Sequence, residues 1–207
     1  MAMILASQSP RRRELLGQMG FSFTVRPARG EELPHPELTP AQLVEELARQ
    51  KALEVSAEAE ADDVVVAADT VVAADTVVAI DGKVLGKPHD KVHAAQMLSA
   101  LSGREHTVYT GVAVKRGETL LVEHEATQVR FRPLTEREID LYIQTGEPMD
   151  KAGSYGIQGY GALLVEGIRG DYFNVVGLPI CRLGRMLAQV GEDALAQCAQ
   201  KCAEKER

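Results

Sequence analysis

The sequence predicts an α/β fold with a mixed, strongly twisted β-sheet that is flanked by helices. Candidate strands and helices alternate in the first part of the chain, whereas β-hairpins dominate its middle, and this mixture is typical of a sheet with parallel and antiparallel pairs. A chain of 207 residues can form one domain, or one domain with two lobes around a cleft. Aromatic residues make up only 4% and Trp is absent, so we expect an aliphatic core.

The first elements are a strand and a helix. Ile4–Ala6 is a short apolar run, and Ser9 is a suitable cap for a helix that has Pro10 in its first turn and Gly20 at its end. The elements that follow, which hydrophobic period and turn residues indicate, are a strand at Phe21–Val25, a polar loop at Gly30–Pro40, a helix from Pro40 through Val55 with an acidic continuation to Asp63, and strands at Val64–Ala67, Val71–Ala74 and Val77–Ile80.

Turn residues define the elements of the second half. Asp81-Gly82 predicts a hairpin turn into a strand at Val84-Leu85, and Arg116-Gly117 predicts a second hairpin. The remaining predicted elements are a helix at His89–Leu101, the hairpin strands Thr107–Lys115 and Leu120–Phe131, a helix at Glu136–Thr145, strands at Ala162–Ile168 and Phe173–Val176, and a terminal helix from Leu183 onward with a charged tail.

Composition limits the classes of function. The net charge of −7 argues against a protein that coats nucleic acid or an anionic membrane, although it permits a small anionic ligand at a local basic cluster. Three cysteines without framework spacing fit a reducing compartment. No run approaches the ~20 apolar residues of a membrane span. We therefore expect a cytoplasmic protein that binds a small molecule, and the sequence leaves a homodimer open.

The loop after the first strand is a candidate phosphate site. A helix N-terminus attracts anions, and Ser7 and Ser9 carry hydroxyl groups. Arg11, Arg12 and Arg13 occupy a first turn where positive charge opposes the helix dipole. Phosphate would explain them, because a guanidinium group binds phosphate in two-point fashion. A capped helix with a solvated basic face explains the same residues equally well.

A six-residue repeat contains candidate metal ligands. Val65–Thr70 and Val71–Thr76 have the same sequence, which indicates a tandem duplication rather than a solenoid. Asp69 and Asp75 thus each follow a β-branched run, where a carboxylate is costly unless it is paired or bound to a metal. Together with Glu32 of the polar loop, one of them suffices for Mg²⁺. The alternative is that Asp-Thr only makes a turn, which these residues by themselves favour.

Two further segments suit a phosphorylated ligand. Lys87, like Lys51, can supply a point charge for phosphate, but Gly86-Lys87-Pro88 is not a Walker motif, and both lysines are compatible with solvated positions. The segment Asp150–Gly161 contains four glycines, which permit close approach of the backbone to a ligand, and its Gln158 can read a base edge. The alternative for this segment is a flexible loop.

Together these motifs resemble the Maf family of nucleotide pyrophosphatases, from Leu5 to about Leu187. Several motifs in the same order are more specific than any one of them. The Lys-Ala-Gly-x-Tyr-Gly-Ile-Gln-Gly form looks like that of the branch acting on dTTP and UTP. The matching segments are Leu5–Arg12, the Ala-Asp-Thr-Val-Val element, Leu85–Pro88, Ser102-Gly103, Thr110–Val114, Lys151–Gly159 and Val176–Pro179.

The resemblance implies a deep nucleotide-binding cleft between two lobes and a divalent cation, Mg²⁺ or Mn²⁺. It implies hydrolysis of dTTP and UTP, with modified pyrimidine nucleotides as further candidates, to the monophosphate and pyrophosphate. The catalytic domain would span residues 1–190, and residues 191–207 would form a charged helix end. One alternative is a nucleotide-binding regulator of cell division and septum formation without turnover, since the repeat could misplace the metal site.

The resemblance also implies roles for particular residues. The catalytic Asp falls in the Asp-Thr element, and Asp75 and Glu32 would be the metal ligands. Residues that match positions tied to substrate choice are Arg12, Gln158 and the Thr of that element, Thr76 or its rival copy Thr70. Residues that would contact phosphate or line the cleft are Ser7, Arg12, Arg13, Glu32, Lys51 and Lys87.

The repeat leaves the catalytic copy open. Counting forward from Ser7 favours Asp69, whereas counting back from the Asp81-Gly82 hairpin favours Asp75. We prefer Asp75, because a hairpin sets strand register rigidly, and an insertion is more easily absorbed as a loop on the upstream side.

Overall fold

The computed structural model of the protein describes residues 2–30, 35, 37–74 and 84–205. The strands are β1 (Met3–Leu5), β2 (Phe23–Val25), β3 (Val64–Ala74), β4 (Val84–Leu85), β5 (Glu105–Arg116), β6 (Thr119–Phe131) and β7 (Val165–Arg169). The α-helices are α1 (Pro10–Gln18), α2 (Pro40–Ser56), α3 (Lys91–Leu101), α4 (Glu136–Gln144), α5 (Tyr172–Val176), α6 (Ile180–Gln189) and α7 (Ala194–Lys205).

The strands form one mixed sheet. Its order is β2-β1-β3-β5-β6-β7, and β4 pairs with β3. Strand β1 is parallel to both β2 and β3, with Leu5 opposite Val25 and Val66, whereas β4 is antiparallel to β3 and β7 is antiparallel to β6. Parallel neighbours need a crossover connection, which α1 and α2 provide. The predicted α/β fold with a mixed sheet is confirmed.

The chain forms two compact units, and the first contains residues 1–69, 110–125 and 177–207. Its core is mostly aliphatic, as expected, although Phe21 is also buried. Gly111 lets α2 lie directly on β5, because a Cβ at this position would collide with the main chain of Val44 and Glu45. The buried residues of this core are Ile4, Ala6, Ala48, Ala52, Val55, Val65, Ala67 and Ala113.

The second unit contains residues 70–109 and 126–176, and its core is not purely aliphatic. Phe131, Tyr142 and Tyr155 are each at most 5% exposed and lie among aliphatic side chains of α3 and α4. Three of the nine aromatic residues thus pack together with aliphatic side chains in this core. The core of this unit is still mostly aliphatic, as expected, with these three aromatic side chains added.

His106 is the titratable group in this aromatic cluster. It is 1% exposed, its ring meets Phe131 and Tyr155 edge-to-face, and its Nε2 lies 2.8 Å from the Tyr155 hydroxyl oxygen. In the described part of the chain its Nδ1 has no hydrogen-bond partner, so a second ring proton would be unsatisfied. Burial lowers the pKa of His106 to about 4.

This pKa predicts acid sensitivity between about pH 6.5 and pH 4. The unfolded chain takes up a proton at His106 near pH 6.5, but the folded protein does not until about pH 4. The free energy of unfolding should therefore decrease as the pH is lowered through this window, by up to ~3 kcal/mol. Urea unfolding at pH 7 and pH 5 measures the loss. The loss of stability between pH 7 and pH 5 should be smaller in His106→Gln and unchanged in the control His89→Gln, which replaces an exposed histidine. A loss in His106→Gln as large as in the wild-type protein would contradict the role of His106.

Several element boundaries differ from the prediction, and one element type was wrong. Ala162 and Leu163, expected in a strand, lie in a 3₁₀ helix, and β7 begins at Val165. Phe173–Val176 is not a strand but part of helix α5. The β-branched residues suggested a strand, but the buried Asn174 donates its side-chain NH₂ to the Val108 carbonyl and to Thr127 Oγ1, and Asp171 accepts from the Phe173 N–H. These tertiary contacts override the strand preference of four residues, which is weak in so short a segment.

The other differences have local causes. Helix α2 ends at Ser56, because the Asp63 carboxylate accepts the N–H groups of Ala2 and Glu60 and holds the segment after α2 in a turn. Val64–Ala67 and Val71–Ala74 form one continuous strand, β3. The predicted elements at Val77–Ile80 and Asp81-Gly82 lie outside the described residues.

The C-terminal part contains two helices rather than one. Helix α6 ends at Gln189, Gly191 adopts a left-handed conformation with φ of 84°, and α7 follows. The predicted division at residues 190 and 191 stays a prediction. Within the placed segments, no helix combines the length and the apolarity that crossing a membrane would need.

Candidate active site

The loop between β1 and α1 has the capped geometry that the sequence predicts. The Ser9 hydroxyl accepts from the Arg12 N–H at 3.5 Å, and Pro10 occupies the first turn. The Ser7 hydroxyl accepts from the Ser9 N–H at 3.2 Å, and Ser7 is only 8% exposed. The loop therefore presents a nearly buried hydroxyl at the end of a strand.

Arg12 connects this loop to two other parts of the first unit. Its Nε donates to the Gly177 carbonyl at 2.7 Å, and its Nη1 donates to Ser7 Oγ at 3.1 Å and to the Ala68 carbonyl at 2.8 Å. These bonds explain how a cation is tolerated in the first helical turn, because main-chain acceptors offset the unfavourable helix dipole. Arg13, one residue further along, is exposed.

Asp69 and Lys51 form an ion pair next to this arginine. Lys51 Nζ of α2 lies 2.6 Å from Asp69 Oδ1 of β3, and the two side chains are 19% and 15% exposed. Asp69 directly follows Ala68, whose carbonyl binds Arg12. The structure thus brings together four predicted site residues from three separate segments of the sequence, Ser7, Arg12, Lys51 and Asp69. Charged groups that are largely buried need partners, and Lys51 and Asp69 are partners for each other.

The donor set of the described residues suits a cation that the substrate helps to bind. No group of three His, Cys, Asp or Glu side chains among the placed residues could hold a metal ion. Asp69 offers one hard oxygen ligand, and Mg²⁺ at phosphoryl-transfer sites takes one or two carboxylates, with phosphate oxygens and water completing its shell. Asp69 therefore fits a site in which phosphate oxygens of the substrate and water supply the other ligands of the cation. Glu32, Asp75 and Thr76 lie outside the described residues.

Three of the predicted site residues that the structure describes belong to the second unit. Thr70 follows Asp69 in β3 and is half-buried, Lys87 is exposed just after β4, and Gln158 is exposed in the glycine-containing loop. The segment with Lys87 is tied to the start of that loop, because the Gly153 N–H donates to the Gly86 carbonyl at 3.0 Å. Two motifs that the sequence offered separately are therefore adjacent.

The loop with Gln158 is ordered by contacts that the sequence analysis missed. Gly153 and Ser154 both have positive φ, 69° and 61°, although Ser154 is a buried serine for which this conformation is strained. Glu147 and Tyr142, which no motif singled out, bind the later part of the loop. An acidic residue just before a glycine-containing segment, as Glu147 is, could have indicated this contact. The neighbouring sequence does not show that the chain folds back onto Glu147.

Comparison with known proteins shows the family. The model of the Maf-like protein family matches residues 2–190. The dTTP/UTP pyrophosphatase of Moorella thermoacetica is 53% identical over 194 residues, which are 92% of this chain and 96% of the relative. The dTTP/UTP pyrophosphatase of Symbiobacterium thermophilum is 53% identical over 196 residues, 91% of this chain and 94% of the relative. That of Bacillus pumilus is 51% identical over 189 residues, 91% and 96% of the two chains.

A solved structure with a weaker likeness is the nucleoside-triphosphatase / dITP/XTP pyrophosphatase of Mycobacterium abscessus. It is 18% identical, covers 92% of this chain and 98% of its own, and superposes with a TM-score of 0.46. The family assignment depends on the sequence comparisons instead. The match of the family model over nearly the whole chain, the three relatives at about half identity and the ordered motifs agree, and the chain belongs to the Maf-like protein family.

Proposed function

We propose that this protein hydrolyses dTTP and UTP to the nucleoside monophosphate and pyrophosphate. The observation that carries the proposal is the convergence of Ser7, Arg12, Lys51 and Asp69 within one compact unit. Hydroxyl, guanidinium, ammonium and carboxylate groups together are what phosphate binding and water activation require. The relatives named dTTP/UTP pyrophosphatase, about half identical over nearly the whole chain, support the choice of substrate.

The roles of the residues follow from their chemistry. Asp69 accepts a proton from the attacking water, the new bond forms at the α-phosphorus, and the α–β bond breaks with its electron pair leaving on pyrophosphate. Lys51 lies beside this carboxylate and, with Arg13 of the same unit, opposes the charge of the phosphate oxygens. Lys87 of the second unit stays a predicted phosphate contact. Arg12 and Ser7 hold the phosphate-binding loop in shape.

We assign the role of general base to Asp69 rather than to Asp75 because of the contacts around Asp69, the aspartate of the first repeat copy. The carbonyl before Asp69 binds Arg12, and the carboxylate itself pairs with Lys51. Both basic residues come from segments that the family resemblance places at the site. This assignment departs from the preference that hairpin register suggested, and Asp75 remains the rival that substitution can test.

Cation binding is the second part of the proposal. Asp69, together with Glu32, would hold Mg²⁺ or Mn²⁺, and Asp75 would replace Asp69 if the second copy were the functional one. A divalent cation supplies charge neutralisation on the transferred phosphoryl group. Gln158 and Thr70 would determine which nucleobase the site accepts. Thr76 would replace Thr70 if the second repeat copy were the functional one. The catalytic domain would comprise residues 1–190.

A phosphate-release panel tests the proposal. The protein is incubated with dTTP, UTP, 7-methyl-GTP and the common nucleoside triphosphates in Mg²⁺ or Mn²⁺, with inorganic pyrophosphatase added to convert pyrophosphate to phosphate. We expect release from dTTP and UTP. Preference for 7-methyl-GTP would overturn the substrate assignment, and tight binding without release from any nucleotide would favour the regulator alternative over an enzyme.

A further inference from the structure

The loop with Gln158 folds onto a single carboxylate. Glu147 Oε1 accepts from the Gly161 N–H at 3.0 Å and from the Tyr142 hydroxyl at 2.8 Å, and Glu147 Oε2 accepts from the Tyr160 N–H at 2.8 Å. One half-buried side chain thus binds two successive main-chain donors on the C-terminal side of Gln158. Charge-assisted bonds of this kind are shorter and stronger than neutral ones.

The N-terminal side of the loop reaches the same carboxylate through Tyr142. The Tyr142 hydroxyl accepts from the Gly156 N–H at 3.1 Å while it donates to Glu147. Residues 156 and 160, two positions before and two after Gln158, are therefore bound to one Glu147–Tyr142 pair. Burial raises the pKa of Tyr142, with its bond to Glu147 adding to the effect, so the hydroxyl keeps the proton that it donates.

The glycines of the loop permit close approach rather than flexibility. A Cβ on Gly159 would collide with the Glu147 carboxylate, and a Cβ on Gly156 would lie 2.6 Å from Lys151 Cε. On Gly161 it would lie 2.6 Å from the Gly156 carbonyl oxygen and 2.8 Å from the Tyr142 hydroxyl. Each glycine therefore removes a side chain where the loop contacts its support. This packing argues against the flexible loop that the sequence left as an alternative.

The charge of Glu147 is retained at neutral pH. Burial opposes ionisation, but the bonds from Gly161, Tyr160 and Tyr142 and the nearby Lys151 ammonium outweigh it and lower the pKa of Glu147. Lys151 in turn donates to the Glu147 carbonyl at 2.7 Å and to the Asp150 carboxylate at 2.6 Å. The support is thus a connected set of polar groups within one unit, and its central acceptor is the Glu147 carboxylate.

We infer that Glu147 is a positioning residue for base selection: by binding both sides of the loop it holds Gln158 at one place relative to the base of the bound nucleotide. This inference rests on the proposed function, because Gln158 reads a base only if a nucleotide binds. A side-chain amide distinguishes bases by donating and accepting at fixed positions. If the loop moves, bases of different width and edge pattern are accepted more equally.

Glu147→Gln tests the inference, and Glu138→Gln is its matched control. An amide places an NH₂ group against a main-chain N–H, so one loop bond is lost. Glu138 also accepts a main-chain N–H, that of Thr135 at 2.8 Å, and lies in the same unit, but it caps α4 instead. For Glu147→Gln we expect the ratio of kcat/KM for dTTP to that for the other deoxynucleoside triphosphates to fall about tenfold, mainly through KM. Glu138→Gln should leave the ratio unchanged.

Hydrogen exchange of the peptide covering residues 156–161 gives a readout that needs no turnover. The inference requires faster exchange there in Glu147→Gln and in Tyr142→Phe, which keeps the buried ring and removes only the hydroxyl. A lower melting temperature with an unchanged selectivity ratio, or unchanged exchange in both variants, would overturn it. If the wild-type protein released no pyrophosphate, only the proposed function would fail, and the selectivity ratio would then be measured from dissociation constants.

Discussion

Asp69→Asn is expected to lower kcat for dTTP by about 10²–10⁴-fold, the range that a general base contributes. Asparagine keeps the size of the side chain, and its carbonyl can still accept from Lys51, so the fold should persist while the proton acceptor is lost. Steady-state kinetics with dTTP and Mg²⁺ measure the loss, and thermal unfolding checks the fold. Asp62→Asn, a substitution of an exposed aspartate in the same unit, is the control and should retain activity.

The duplicated copy makes a second arm of this experiment necessary. Asp75→Asn should change kcat by less than about threefold if the first copy is functional. Loss of activity in Asp75→Asn with retention in Asp69→Asn would reverse the assignment. A third outcome is possible because the repeat has six residues, an even number, so that a shift of one repeat would keep every side chain on the same face of a strand. Activity that is lost only in the double variant would mean that either aspartate can act as the general base.

Arg12→Lys is expected to impair both stability and catalysis. Lysine keeps the charge but has no planar fork, so it cannot bind the Gly177 carbonyl, the Ala68 carbonyl and Ser7 Oγ together. Buried acceptors that lose a charged donor cost about 1.5–3 kcal/mol each, and partial replacement by one ammonium group leaves an expected loss of ~2–4 kcal/mol in the free energy of unfolding. We expect kcat/KM for dTTP to fall by about 10²-fold, since the loop with Ser7 loses its connection to the strand end before Asp69.

Urea unfolding and steady-state kinetics at a temperature where both proteins are folded measure the two effects. Arg185→Lys is the matched control, because Arg185 is an exposed arginine on α6 of the same unit. If Arg12→Lys behaved like Arg185→Lys in both measurements, the connecting role of Arg12 would be wrong. A loss of stability without a loss of kcat/KM would confine Arg12 to a structural role.

Several elements were predictable because their signals lie within a few neighbouring residues. Ser9 and Pro10 begin α1, Thr135 caps α4, and Gly117 adopts the left-handed conformation, φ 52°, that the hairpin between β5 and β6 needs. Each of these signals acts through local hydrogen bonds or backbone sterics, which hardly depend on the rest of the fold. The Maf-like motifs were likewise readable as ordered segments of sequence, and the family that they resemble is confirmed.

The sequence by itself determined the fold class, the boundaries marked by local caps and turns, and the residue types available for phosphate chemistry. Tertiary structure decided which of those residues meet. Arg12 binds the Gly177 carbonyl across 165 positions of the chain, and Lys51 of α2 pairs with Asp69 of β3. It also decided that Phe173–Val176 is helical and that Glu147 supports the loop with Gln158. Local preferences are worth tenths of a kcal/mol per residue, whereas buried polar groups must find partners wherever the topology brings them.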